Sequence, residues 1–338
     1  MILEDHCIIL QILNEEGVGM SKKVMVDAMN SQQTAYEAQR MQANRTELVE
    51  RMSQAIREDG RIETLKGLYF NRSSRLKSVH GVSDPAFCVI AQGSKEIFLG
   101  DERYQYDPAH YLLFTAELPY VSQIIEATPE RPYLSLRLNL DSTLVSSVMV
   151  EAGHVSPRSQ TKARAINVST LDASLLDATV RLVRLVDTPV EAPFLAPLIT
   201  REIVYRLLMG KQGDRLRYLT VQNGQAHRIA GAIQRFHKEF DQPLRIEDMA
   251  QELGMSVSSF HQHFKAVTAL SPLQFQKRLR LQEARRLMLS EQLDAASTAF
   301  RVGYDDASHF NREYKRLFGS PPMRDVERLR EAASLGAN

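Results

Sequence analysis

The sequence predicts an α+β chain of two domains. A run of short strands with flanking helices closes into an antiparallel β-barrel or sandwich, and an all-α domain of two helix-turn-helix motifs joined by a long helix follows it. Three observations carry this. The 338 residues, 43% of them hydrophobic, suffice for two cores. Between residues 87 and 140, β-prone runs alternate with turn signals at short, even intervals, the pattern of an antiparallel sheet. After residue 225 the apolar positions recur at helical spacing, and one pattern of residues occurs twice.

From the N-terminus, Leu48, Val49, Met52, Ala55 and Ile56 lie at helical spacing, predicting an amphipathic helix over 43–58 that ends at Asp59-Gly60. Residues 1–43 read as an N-terminal extension open to disorder, with Met20, Met25 and Met29 as further candidate starts. Residues 62–70 turn to β-branched and aromatic side chains. Strands are expected at 87–91, 95–99, 103–106, 111–115, 121–126 and 133–140, with the clearest hairpin across Gly100-Asp101. Two helices are expected next, at 171–186 and 194–209, with Leu175, Leu176, Val180 and Val183 striping the first and Leu198, Ile199, Ile203 and Leu207 the second. Such a pair either packs on the sheet or forms a dimer seam. Gly210, Gly213 and Gly224, with charges between them, mark 210–224 as an exposed linker. The expected division is therefore a β-domain over 44–209, a linker over 210–224, a helical domain over 225–330 and a tail over 331–338.

The repeat lies in the helical domain. Ala250, Leu253, Gly254, Phe260, Phe264 and Lys265 correspond to Ala299, Val302, Gly303, Phe310, Tyr314 and Lys315. In each copy the Gly suits a left-handed helix end, the Ala four residues before it lets a second helix cross closely, and the aromatic pair at i, i+4 pins that helix to a core. This is a helix-turn-helix layout. The aromatics come one residue later in the second copy, so its turn is expected to be one residue longer. Ser271-Pro272 supplies an N-cap and first-turn proline for the helix that joins the copies and runs to residue 289.

With Phe260 and Phe264 inside, a rotation of about 100° per residue turns Ser258, His261, Gln262 and Lys265 outward. With Phe310 and Tyr314 inside, Ser308, Asn311, Arg312 and Lys315 face out in the second copy. Arg suits guanine, Asn or Gln suits adenine, Ser suits either, and Lys suits phosphate. Any amphipathic helix shows polar residues outward; two copies with the same layout are what point to DNA. One of Asp305 and Asp306 is expected to cap its helix, turned away from phosphate.

Composition limits the alternatives. Net charge is +1, and residues 225–330 carry 17 Lys+Arg against 13 Asp+Glu, a modest excess of four. Cys7 and Cys88 are too few for a disulfide framework or a four-ligand zinc site, which favours a reducing cytoplasm. The apolar run at 7–13 is short and follows Glu4 and Asp5, unlike a signal peptide or membrane span, so no membrane partner is expected. His261, His263 and His309 lie on different helices or faces without Cys or carboxylate partners at ligand spacing, so neither metal nor cofactor is expected. Cys88, inside an apolar run, reads as core.

The C-terminal region resembles the DNA-binding domain of AraC/XylS-type transcription regulators, through residues 246–264, Ser271-Pro272, the Arg-Leu-Arg-Leu run at 278–281, Val302-Gly303-Tyr304, Phe310, Lys315, Phe318-Gly319 and Pro321-Pro322. The β-region resembles the cupin-like sensor domain of one branch of that family, through Pro85, residues 88–95, 99–102 and 106–113, Pro132-Tyr133 and Arg137-Leu138. Ala269 departs from the family, which commonly has Gly there; a left-handed Ala costs about 1 kcal/mol relative to Gly, so the helix is open to a different ending.

The resemblance implies a cytoplasmic, nucleoid-associated, effector-responsive regulator that reads two adjacent major-groove segments of double-stranded promoter DNA. RNA polymerase is a partner if the protein is an activator, and a homodimer is compatible. A small-molecule pocket inside the sheet is implied, with Tyr104, Tyr106, Tyr111, Tyr120 and Arg137 as candidate lining residues. The alternative is a small-molecule-binding protein of the same architecture that has lost specific DNA binding. A metalloenzyme fits less well, because residues 100–111 hold His110 alone, and no enzymatic activity is expected.

Overall fold

The computed structural model describes residues 22–153, 164–217 and 225–334. Two antiparallel sheets face each other. β1 (Gly60–Leu65), β2 (Leu68–Ser73), β4 (Ala86–Gln92), β7 (His110–Phe114), β9 (Tyr133–Asn139) and β10 (Ile166–Thr170) form a six-stranded sheet in the order β1-β2-β9-β4-β7-β10. β3 (Ser78–Ser83), β5 (Ser94–Leu99), β6 (Glu102–Tyr106) and β8 (Leu118–Glu126) form a four-stranded sheet in the order β3-β8-β5-β6.

Strand alternation explains the layering. On β4, Ala86, Cys88 and Ile90 belong to the core between the sheets, while Phe87, Val89 and Ala91 belong to a second core on the other face. That second core forms against α1 (Lys22–Ala55), α2 (Ser142–Glu151), α3 (Ala173–Arg184), α4 (Ala192–Met209) and α5 (Gly213–Arg217), with Leu48, Met52, Leu176, Val183 and Leu207 buried in it. With both faces covered, β4 is apolar along its length. The helical domain comprises α6 (Gln225–Lys238), α7 (Ile246–Glu252), α8 (Val257–Thr268), α9 (Pro272–Ser290), α10 (Ala295–Arg301), α11 (Ala307–Phe318) and α12 (Pro322–Ser334).

All six expected strands are present, and β5 and β6 meet across Gly100-Asp101, with Leu99 opposite Glu102. β3 and β10 come in addition, both at sheet edges, where Ser78–Ser83 and Ile166–Thr170 carry too few apolar residues to announce a strand. α2 is likewise additional; Asp141 caps it by accepting from the Leu144 N–H at 2.9 Å.

Three boundaries differ from expectation. The first helix begins at Lys22, so residues 22–43 are helical and not an open extension, and residues 1–21 lie outside the described set. The expected tail is helical up to Ser334. The expected linker is packed through its first half. Gln212 is buried, with its Nε2 donating to Ser169 Oγ at 2.8 Å, and the buried Arg217 donates to the Leu208 carbonyl at 3.2 Å. Gly213 serves close approach here, since a Cβ on it would lie 2.0 Å from the Leu208 oxygen. Residues 218–224 lie outside the described set.

Gly213→Ala should therefore destabilise the protein by about 1–3 kcal/mol, the usual cost of overpacking, whereas a glycine in an exposed linker would tolerate the change. Urea denaturation of the two proteins checks this, and an unchanged midpoint would restore the exposed-linker reading.

Candidate functional site

The two helix-turn-helix copies close in the same way. In the first, the Met255 N–H reaches back to the Ala250 carbonyl at 2.8 Å and the Gly254 N–H to Gln251 at 2.9 Å. In the second, Tyr304 reaches Ala299 at 2.9 Å and Gly303 reaches Phe300 at 3.1 Å. These are Schellman-type ends with glycine in the left-handed region, φ 63° at Gly254 and 84° at Gly303. Ala250 and Ala299 are buried, as the close helix crossing requires. The turn spans 253–256 in the first copy and 302–306 in the second, the longer turn the spacing predicted.

Each second helix is held by its aromatic pair. Phe260 and Phe264 are buried with Phe236 and Phe275, the Phe264 ring lying 5.1 Å and 5.2 Å from them. Phe310 and Tyr314 are buried, and the Tyr314 hydroxyl donates to Asp325 at 3.0 Å. Asp325 is fully buried; burial opposes its ionisation, yet the two-pronged Arg285 contact at 2.7 and 2.9 Å, with Arg328 at 2.6 Å, holds its carboxyl below the ordinary value.

The connecting helix α9 starts with a full capping box between Ser271 and Gln274 and runs 19 residues, about 28 Å. From its middle, Arg280 donates to the Phe240 carbonyl at 2.7 Å, to Gln242 at 2.9 Å and to Gly303 at 2.7 Å. One guanidinium thus ties the loop between α6 and α7 to the turn of the second copy.

All four expected residues of the second recognition face, Ser308, Asn311, Arg312 and Lys315, are exposed. In the first copy Ser258, Gln262 and Lys265 are exposed, while His261 is half-buried, its ring 6.4 Å from that of Phe260. Asp306 is the expected cap, accepting from the Ser308 and His309 N–H groups at 2.8 and 3.0 Å; these bonds lower its pKa. Ala269 ends α8 in the left-handed region at φ 59°, so this helix ends as a glycine-capped helix would, with the strain retained. Gly319 does the same for α11 at φ 80°.

The first copy also rests on the β-domain. Arg164 donates to the Lys265 and Ala266 carbonyls and pairs with Glu102, and the Ala165 N–H donates to Val267 at 3.1 Å. On α9, Gln282 Nε2 donates to the Gly81 carbonyl of β3 at 2.9 Å, and His80 stacks edge-on to Phe318 of α11 at 4.8 Å.

The structure separates the five tyrosine and arginine candidates for an effector site. Tyr106 and Tyr120 pack in the core between the sheets. Tyr111 lies in the core on the helix-covered face, its ring 5.5 Å from Phe87. Tyr104 donates to Glu102 at 2.5 Å, beside the Arg164 contact with the helical domain. Arg137 gives its three nitrogens to Asn139, Ser83 and the Asp84 carbonyl at 3.1, 2.7 and 3.0 Å. Two residues of the inter-sheet core were not among the candidates. Tyr133 is buried, and Lys95, opposite Tyr106 and Ile124 in the ladders, places its ammonium 5.9 Å from the Tyr133 ring. Alternation with Ile97 and Leu99 was the signal that Lys95 faces inward. Burial pushes the Lys95 amine down to about 8 and the Tyr106, Tyr120 and Tyr133 hydroxyls up. Burial likewise raises the Cys88 thiol, which suits the core role expected of it.

Residues 64–215 match the family model of the AraC-type transcriptional regulator N-terminus, and residues 249–328 match that of a helix-turn-helix domain. The HTH-type transcriptional activator RhaS of Klebsiella pneumoniae is 32% identical over 93 residues, 28% of this chain and 33% of that one. The HTH-type transcriptional regulator ExsA of Pseudomonas aeruginosa is 27% identical over 133 residues, 39% of this chain and 47% of that one. The aligned region thus spans less than half the length of these relatives. Among solved structures, ToxT of Vibrio cholerae bound to a naphthalenyl butenoic acid superposes with a TM-score of 0.53 at 12% identity, over 77% of this chain and 98% of that one. Unsaturated fatty acid bound ToxT superposes at 0.51 and 10% identity, over 80% and 97%. These likenesses show the two-domain fold.

Replacing Ala269 by Gly should raise stability by about 1 kcal/mol, read from the urea midpoint, because it relieves the left-handed strain. Lys95 gives a pH signature. Its folded pKa of about 8 lies below its ordinary 10.5, so the cost of enclosing the charged amine is full below 8 and is lifted as pH rises from about 8 to 10.5. The charged groups that act on it are Arg61 on β1 and Arg137 on β9, with Cys88 on β4. Stability of the parent relative to Lys95→Met should therefore rise across that window; a constant difference between the two would refute the assignment.

Proposed function

The chain belongs to the AraC-type regulators, whose N-terminal domain and helix-turn-helix domain it carries in that order, and on that footing we propose that it is a sequence-specific transcription regulator reading two adjacent major-groove segments of promoter DNA. The observation that supports this most is the pair of exposed polar faces, Ser258, Gln262 and Lys265 on α8 and Ser308, Asn311, Arg312 and Lys315 on α11, spaced by a capped connecting helix. His261 sits at the edge of the first face. In this reading Arg312 and Asn311 contact base edges, and Lys265 and Lys315 contact phosphate.

The proposed boundaries place the sensor domain up to Arg217 and the DNA-binding domain from Gln225. The sensor domain takes a small-molecule effector in the core between its sheets, around Tyr106 and Tyr120. Its partners beyond DNA are RNA polymerase, if the bound site activates, and a second copy of the chain. For that second copy the fitting surface is α4, where Phe194, Leu198, Tyr205 and Met209 are exposed along one side. No described helix is long and apolar enough to cross a membrane, and a cytoplasmic, nucleoid-associated regulator is consistent with that. The homologues being regulators supports a role without catalysis.

Selection of random duplex DNA by the full-length protein tests the reading. With the selected operator, Arg312→Ala should cost about 1–3 kcal/mol and relax one base position, while Lys315→Ala should weaken all sequences alike and reduce the salt slope by about 1. If no sequence is enriched even at low salt, a ligand-binding protein without specific DNA binding replaces the regulator.

A further inference from the structure

The helices α8 and α11 correspond in the repeat, yet their ends are held differently. In both, the residue after the helix closes the last turn, the Ala269 N–H onto the Lys265 carbonyl at 2.9 Å and the Gly319 N–H onto the Lys315 carbonyl at 2.8 Å. The carbonyls beyond that bond have no partner within the helix itself. At the end of α11, among the described residues, no group of the β-domain bonds to the Arg316 or Leu317 carbonyl, and Gly319 takes the left-handed conformation at no steric cost. At the end of α8 the corresponding carbonyls are satisfied from the β-domain. Arg164 donates one nitrogen to the carbonyls of Lys265 and Ala266, the latter at 2.7 Å, and the Ala165 N–H donates to the Val267 carbonyl at 3.1 Å.

The helix with the outside support is also the one with the strained end, since Ala269 sits at φ 59° where glycine would be relaxed. The β-domain is shaped to reach it. Gly100 in the β5–β6 turn lies so near the Ala269 carbonyl that a Cβ on it would come within 2.6 Å. Arg164 is itself held, because another of its nitrogens pairs with Glu102 Oε1 while Glu102 Oε2 accepts from the Tyr104 hydroxyl at 2.5 Å. A line of contacts thus runs from β6 through one carboxylate and one guanidinium to the last turn of α8. A cation at that end also complements the helix dipole.

We propose that Arg164 is a positioning residue for DNA binding: the β-domain supplies the C-terminal cap of α8, and the half of the operator read by α8 is bound at full strength only while that cap is in place. The proposal rests on the regulator reading above. Lys265, the phosphate contact in that reading, stands in the last turn of α8, where loss of the cap would fray the backbone that carries it. α11 has its own glycine end, so its half of the operator is bound without this support.

The test uses the full-length protein and the duplex it selects from random DNA. Chelated iron attached through Asp305→Cys, in a Cys7→Ser background, cleaves the half read by α11 and so assigns the halves. Arg164→Ala should weaken binding to the intact duplex about tenfold, the equivalent of one hydrogen bond to a charged group. That weakening should vanish when the half read by α8 is scrambled and persist when the other half is, a pattern that general destabilisation does not produce. Hydrogen exchange in the absence of DNA reads the cap directly. The amides of residues 267–269 should exchange about tenfold faster in Arg164→Ala, and those of 317–319 at the parent rate. If Arg164→Ala does not fold, Arg164→Lys takes its place with the same pattern expected, since an ammonium keeps the charge and cannot span both carbonyls and Glu102. Undiminished binding, equal weakening through both halves, or unchanged exchange at 267–269 would each overturn the proposal. If the parent selects no duplex, the regulator reading falls, and exchange alone decides whether the β-domain caps α8.

Discussion

The Arg280 guanidinium is the contact on which the helical domain depends. It projects from the middle of α9 and donates to four backbone carbonyls, those of Phe240, Asp241 and Gln242 in the loop between α6 and α7 and that of Gly303 in the turn of the second copy. Gln276, one turn earlier, adds bonds to the Phe240 and Gln242 carbonyls at 3.0 and 2.8 Å. Only a planar fork of donors spans so many acceptors at once, so Lys at this position would keep the charge and lose the geometry. The contact also explains the tight approach at Gly303, where a Cβ would fall 2.0 Å from the Asp241 oxygen. The contact joins the turn before α11 to the loop before α7, and the Lys277–Glu313 and Arg285–Asp325 pairs add further ties from α9 to the second half.

A second set of contacts relates that domain to the sheets. Arg164 binds the carbonyls at the end of α8, and the Ala269 carbonyl lies so close to Gly100 that a Cβ there would come within 2.6 Å of it. Gln282 and Phe318 meet β3 from the other half. Both α8 and α11 are therefore in mechanical reach of the β-domain, α8 through its C-terminal end and α11 through Phe318 and the connecting helix. Their outward faces stay exposed throughout, so these contacts bear on how the helices are held and not on whether they are covered.

The helical domain was legible because its signals are local. The Gly that ends a helix, the Ala that permits a crossing and the aromatic pair that anchors a helix sit within about fifteen residues of one another, twice over. The six central strands were legible for a similar reason, with turn residues between them. What was hidden depends on distant partners. β3 and β10 are strands because β8 and β7 offer them edges, and their own residues carry little alternation. The glycines at 210 and 213 read as freedom in the sequence, whereas packing against Leu208 gives one of them a contact role. Which side chains face the core between the sheets was only half legible. The family resemblance could nominate Tyr106 and Tyr120, but only the sheet register sends Tyr111 to the other face and brings Lys95 and Tyr133 in. Ala269 is the instructive departure. The strain was foreseeable, but not that the surrounding contacts would hold it.

The core between the sheets does not stop at the β-domain. Cys88, Ile97 and Phe114 belong to one continuous apolar cluster with Phe236, Phe264, Leu270 and Phe275 of the first helix-turn-helix. Two domains that share a core do not melt independently, because opening one exposes apolar surface on the other and each lends the other part of its free energy of folding. The β-domain and the first helix-turn-helix then form one cooperative unit, and the second helix-turn-helix has its own cluster around Phe310 and Tyr314. Anything that tightens the sheets is felt as rigidity by one half of the helical domain before the other. The bipartite domain is symmetric in its sequence repeat and asymmetric in its thermodynamics.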